Sequence, residues 1–120
     1  MHDNLPAYAK GVLGEAVVCD RLTDGGMELL ERRFRSPFGE IDLVMRDGDT
    51  LVFVEVKARA NADAGMGLAA VGQRKQAKLV KTARQYLSQY ACDCTARFDV
   101  IELTKDGVQH IINAFEATGY

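Results

Sequence analysis

The chain has 120 residues, 48% hydrophobic and 27% charged, enough for one buried core and too few for a second domain of ordinary size. Fifteen Lys and Arg against seventeen Asp and Glu give a net charge of -2, which excludes the overall basic footprint of a protein that coats nucleic acid nonspecifically. The three cysteines, Cys19, Cys92 and Cys94, have no CxxC spacing and no set of histidines beside them, so we expect reduced thiols in a cytoplasmic protein rather than a disulfide framework or zinc site.

The opening stretch MHDNLPAYAKGVLGEAVV has no basic region leading into an unbroken apolar run, and no segment nears the ~20 apolar residues of a membrane span. Neither export nor membrane insertion is expected. Asn4 and Pro6 can start a helix, in which Ala9, Val12, Leu13, Ala16, Val17 and Leu22 recur at helical spacing until Gly25-Gly26 ends it. Met27 to Phe34 reads as a short strand, with a turn around Ser36-Pro37-Phe38-Gly39.

Two strong strands follow, Gly39–Arg46 and Thr50–Lys57, joined through Asp47-Gly48-Asp49 as a tight hairpin. Residues 61–67 are small and glycine-containing and read as a mobile loop. Leu68–Tyr90 then carries Val71, Leu79, Ala83, Tyr86, Leu87 and Tyr90 at helical spacing. Arg97–Leu103 and Val108–Ala114 are two further strands around a turn at Lys105-Asp106-Gly107. The order α-β-β-β-α-β-β specifies an α/β class, with a mixed central sheet flanked by helices.

Charge placed inside apolar strands is the informative feature. In the second hairpin strand Leu51, Phe53, Glu55 and Lys57 share one face, and Val52, Val54 and Val56 the other. A two-residue loop pairs even-numbered residues of one strand with odd-numbered residues of the next, so Asp42 joins the face of Glu55 and Lys57. With Gly48-Asp49 as the loop, Asp42 lies opposite Glu55. With Asp47-Gly48 it lies opposite Phe53 and diagonal to Glu55, still within roughly 7–8 Å.

Two carboxylates this close repel, and a partly apolar setting makes both harder to ionise unless a cation joins them. Oxygen donors of this kind suit a hard ion such as Mg²⁺, which takes one or two carboxylates, keeps several waters and leaves positions for phosphate oxygens. Lys57 is placed to orient a water or to stabilise charge developing on a phosphate. Glu15 adds a third carboxylate, on the helical stripe of Val12, Val18, Cys19 and Leu22. Arg74, Lys75, Lys78, Lys81 and Arg84 crowd a segment in which the only acid from Arg59 to Gln89 is Asp63, and Arg32, Arg33 and Arg35 form a second basic cluster. Lys75 lies four residues from both Val71 and Leu79, which puts a basic head on the apolar side of its helix, where it can reach the site or snorkel to water.

The chain carries Gly14-Glu15, the run Gly39-Glu40-Ile41-Asp42-Leu43, and Val52-Phe53-Val54-Glu55-Val56-Lys57 with Arg59. Lys75-Gln76 and Arg97-Phe98-Asp99-Val100 follow. In these it resembles the YraN-type family of small bacterial proteins over nearly its whole length. That family is similar in fold to the Holliday-junction-resolvase group of PD-(D/E)xK nucleases. The resemblance implies one PD-(D/E)xK nuclease-like domain over residues 1–120, with a restriction-endonuclease-like core.

It further implies that Asp42 and Glu55 ligate Mg²⁺ or Mn²⁺, that Val56 offers its backbone carbonyl, that Lys57 is the motif lysine, and that Glu15 is the helix carboxylate of resolvase-like members. Ile41 stands where a motif proline is usual. The expected function is a metal-dependent endonuclease acting on DNA, branched or structured DNA among its substrates. Arg59, Arg74, Lys75, Gln76 and Lys78 would contact the nucleic acid, and a homodimer would set two sites on two strands of a junction.

Two other classes compete. One is a nucleic-acid-binding or assembly protein on the same scaffold with little turnover, which the net charge favours. The other is an interaction domain in which Asp42, Glu55 and Lys57 only pair charges across the sheet. Asp99 and His110 read as structural residues.

Overall fold

A computed structural model of the protein describes residues 7–58, 71–90, 94–104 and 107–116, with side chains from Gly14 onward. The elements are α1 (Ala7–Asp24), β1 (Glu28–Ser36), β2 (Gly39–Asp47), β3 (Thr50–Ala58), α2 (Gln73–Gln89), β4 (Thr95–Thr104) and β5 (Gly107–Phe115). Their order is the one read from the sequence. Residues 59–70, which include Arg59 and the expected loop, lie outside the described residues.

The strands form one mixed sheet in the order β1-β2-β3-β4-β5, in which only β3 and β4 run parallel. A parallel pair needs a crossover, and α2 lies on the one between them. Central β3 is buried on both faces, which is why it reads as an almost unbroken apolar run. Leu51 and Phe53 pack toward α2 with Ile41, Val44, Leu79, Val80, Ala83 and Tyr86. Val52 and Val54 pack toward α1 with Val18, Cys19, Leu22, Leu43 and Met45. Tyr86 anchors the α2 side, edge-on to Phe34 at 5.2 Å and to Phe53 at 5.9 Å. Such aromatic pairs contribute ~0.5–1.5 kcal/mol each beyond the area they bury.

Two expectations are corrected. The second helix starts at Gln73 rather than Leu68, because Gly72 takes an extended backbone as its N-cap and Val71 reaches the core from outside the helix. Cys19 is a buried free thiol, but Cys94 is disulfide-bonded. A bridge requires only that two sulfurs meet in space, which spacing along the chain does not reveal. No described helix is long and apolar enough to cross a membrane.

Candidate active site

The β2–β3 hairpin sets the site. Asp47 pairs with Thr50 and Leu43 with Val54, so the loop is Gly48-Asp49. Gly48 has φ +61 while Asp49 stays out of the left-handed region, the φ pattern of a type II′ turn that fixes this register. Continued past Leu43 and Val54, where the ladder ends, the register brings Asp42 level with Glu55. There a side chain replaces the backbone partner, as Val56 N–H donates to Asp42 Oδ2 at 2.8 Å.

Strict alternation would put Ile41 and Leu43 on one face of β2, yet Ile41 packs toward α2 and Leu43 toward α1. The reversal falls at Asp42. Across from it Arg33 has φ +53, and the ladder passes from the pair Arg32 and Leu43 to the pair Phe34 and Ile41 without joining Arg33 to Asp42. A non-glycine residue there costs on the order of 1–3 kcal/mol, the kind of strain that collects at functional sites.

Glu55 is only 6% exposed. Its Oε2 is buried and accepts no hydrogen bond; Lys75 Nζ lies 3.3 Å away, at ion-pair distance but without hydrogen-bond alignment. Burial, then hydrogen bonding to Glu55 and repulsion from its charge, push Asp42 up to about 8, against the bond from Val56 and the charge of Lys75. Lys57 is lowered by burial first and then by its hydrogen bond with Lys75, while Glu55 pulls the other way. For Lys75 burial also acts against the charge, but the bond with Lys57 and the charge of Glu55 outweigh it and leave the group raised. Asp42, Glu55 and Lys75 line an open cleft of about 430 Å³ together with Glu40, Lys78 and Leu79.

Gly14 carries α1 onto the sheet: a Cβ there would come within 3.1 Å of Leu103 Cδ1 and 3.6 Å of Ala58 Cβ. Glu15 follows at once, its Oε1 accepting from Arg33 Nε at 3.0 Å. Burial raises its pKa and Arg33 opposes this, with the charge of Asp42 adding to the rise. Glu15 therefore feels Asp42 without closing a cage. Among the described residues no three His, Cys, Asp or Glu side chains converge as a ready-made metal site. The groups that do meet are the Asp42 and Glu55 carboxylates, with the Val56 N–H bonded to Asp42. An orphaned, buried carboxylate oxygen beside a second acid fits one hard divalent ion completed by water.

The sequence-predicted basic residues separate. Lys75 reaches the site and Lys78 lines its cleft, whereas Arg74 is an exposed neighbour on α2. Gln76 turns inward, its amide Nε2 donating to Val71 O at 2.9 Å ahead of the helix. Arg33 and Arg35 serve acids, Glu15 and Glu40 respectively, so the second basic cluster is not an uncommitted patch.

Residues 14–103 match the profile described as Uncharacterised protein family UPF0102. The chain belongs to this family. The UPF0102 protein of Thermodesulfovibrio yellowstonii is 41% identical, over 88% of this chain and 94% of its own. That of Herminiimonas arsenicoxydans is 43% identical, over 89% and 86%, and that of Trichlorobacter lovleyi 44% identical, over 90% and 91%. The UPF0102 span opens at Gly14, so it takes in Glu15, Asp42, Glu55, Lys57 and Lys75 together.

Two further acids in that span are buried: Glu102, which was not singled out from the sequence, and Asp99, which was expected to be structural. Glu102 is fully buried, and the parallel register sets it beside Lys57. Asp99, also buried, accepts from Arg97 Nε at 3.0 Å and from Asn113 N–H at 2.9 Å and sits 2.7 Å from His110 Nε2. It pins the irregular pairing of β4 with β5, where Asn113 has φ +54. The signal that singled out Glu55, an acid inside an apolar strand, was equally present at both.

Proposed function

We propose that this protein is a divalent-metal-dependent endonuclease that hydrolyses phosphodiesters of DNA, branched or structured DNA in particular. The observation that carries the reading is the meeting of Asp42, Glu55 and the Val56 backbone where β2 and β3 part, with Glu55 Oε2 buried and lacking a hydrogen bond. Asp42, Glu55 and the Val56 carbonyl would hold Mg²⁺ or Mn²⁺, with Glu15, steadied by Arg33, as a helper on the α1 side. When bound, such an ion lowers the pKa of a water and offsets charge on the phosphate.

The chain's own residues do the rest. Lys57, whose amine burial and Lys75 make easier to deprotonate, orients the attacking water and accepts its proton at Nζ. Lys75, Lys78 and Arg74 on the first turns of α2, together with Arg59, meet the phosphate backbone at the rim, while Gln76, bonded to Val71 O, holds the helix start behind them. A homodimer would cut two strands of a four-way junction. The likeness of the helix-and-strand order along the chain and of the GEID and EVK runs to resolvase-like PD-(D/E)xK nucleases supports the same reading.

The test is cleavage of linear, single-stranded and four-way DNA with Mg²⁺, Mn²⁺ or EDTA, by the wild type and Glu55→Gln. We expect metal-dependent nicking that the variant lacks. The net charge of -2 favours a second reading, a nucleic-acid-binding or assembly protein with little turnover. Metal-independent DNA binding without cleavage of any of the three substrates would select it.

A further inference from the structure

We infer that Lys75 is the built-in competitor of the metal: its ammonium holds Glu55 until a divalent ion binds, and is then released to the phosphate backbone of DNA. The inference rests on the metal-site reading of Asp42 and Glu55 and adds a regulation to it.

Glu55 and Lys75 are unequal partners. The Glu55 carboxylate is confined, 8% exposed, while the Lys75 side chain is 40% exposed and rises from the first turn of α2 beside the cleft. A buried carboxylate requires a countercharge. Among the described residues the cation at ion-pair distance is Lys75, 3.3 Å from Oε2 without a hydrogen bond, a contact held by charge more than by geometry. The helix beneath Lys75 is fixed by Leu79 and Val80 in the core and by the Gln76 bond to Val71 O, so exchange requires the side chain to swing and nothing else to move.

A divalent ion on the same oxygen would stand within a few ångströms of the ammonium, and the two like charges repel. The two cations therefore exclude each other on Glu55. The swing moves Lys75 toward the side of the cleft that Lys78 lines, where phosphate would lie. Thermodynamic reciprocity then makes metal and DNA favour each other's binding through one lysine.

The experiment is Mn²⁺ titration by calorimetry of the wild type, Lys75→Met and Lys78→Met without DNA. It is followed by DNA binding in Ca²⁺, used as a non-cleaving substitute, and by mass-spectrometric reductive methylation of Lys75 with and without Mg²⁺. Lys75→Met should bind Mn²⁺ about five- to tenfold more tightly than the wild type, and Lys78→Met within about twofold of it. Lys75→Met should also lose metal-dependent DNA affinity, and Mg²⁺ should speed methylation of Lys75. Unchanged or weaker Mn²⁺ binding by Lys75→Met, or equal tightening in both variants, would overturn the inference while leaving the metal site standing. Absence of Mn²⁺ binding by every protein would overturn the metal-site reading and the inference with it.

Discussion

Replacing Asp42 by Asn should abolish metal binding and yet stabilise the protein at neutral pH. Burial and Glu55 push the Asp42 carboxyl up to about 8 from an ordinary 3.8. Between those values the folded protein keeps a proton that the unfolded chain releases, so folding stability falls as pH rises through that window. At pH 7 the gap from 3.8 is about three units, and at about 1.36 kcal/mol per unit the penalty reaches about 4 kcal/mol. This is an upper bound, because the carboxyl borders the open cleft and water entering there relieves part of the burial. Asn keeps the shape and an oxygen for the Val56 N–H, and it ionises in neither state.

In urea denaturation with EDTA, the variant and wild type should be about equally stable near pH 4. By pH 7 the variant should lead by at least about 2 kcal/mol. Mn²⁺ should raise the wild-type midpoint and leave that of the variant unmoved. Parallel pH profiles, or a variant less stable at pH 7, would mean that the folded protein carries an ionised Asp42, and the reasoning from its burial beside Glu55 would be refuted.

Three further outcomes follow from single contacts. Lys57→Met should lower cleavage by about 10²- to 10⁴-fold while Mn²⁺ affinity, read by calorimetry, changes little, because the lysine handles a proton rather than the ion. Asp99→Ala should cost about 1–3 kcal/mol in chemical denaturation, since the Asn113 N–H and His110 lose their buried acceptor while Arg97 keeps Asp47. Gly14→Leu should destabilise by about 1–3 kcal/mol and lift α1 from β3 and β4, with the Leu103 methyl signals in NMR reporting the shift.

The hairpin was legible in detail because its information is local: a glycine that fixes the turn and a period of two that sorts the side chains. Of the two loops left open, the Gly48-Asp49 alternative is the one found, and it aligns Asp42 with Glu55. The family, the element order and the mixed sheet were legible too. Strict alternation failed at Asp42, since the reversal between Ile41 and Leu43 depends on Arg33 taking φ +53, and nothing in an arginine announces that. On sequence alone Lys75 can either reach the site or snorkel to water, and its 3.3 Å approach to Glu55 decides between the two. Asp99 needed the bulged pairing of β4 with β5 before its partners could be named. Contacts made across elements were the illegible part, because they depend on how helices and strand irregularities bring distant residues together.

The most direct test of the account is a calorimetric titration of Mn²⁺ into the wild type, Asp42→Asn and Glu55→Gln. The account predicts one site per chain in the wild type and none in either variant, with each variant still folded by circular dichroism. Mn²⁺ binding that survives in both variants, or that the wild type lacks even with DNA present, would contradict it and leave Asp42 and Glu55 as a strained pair held by Val56 and Lys75.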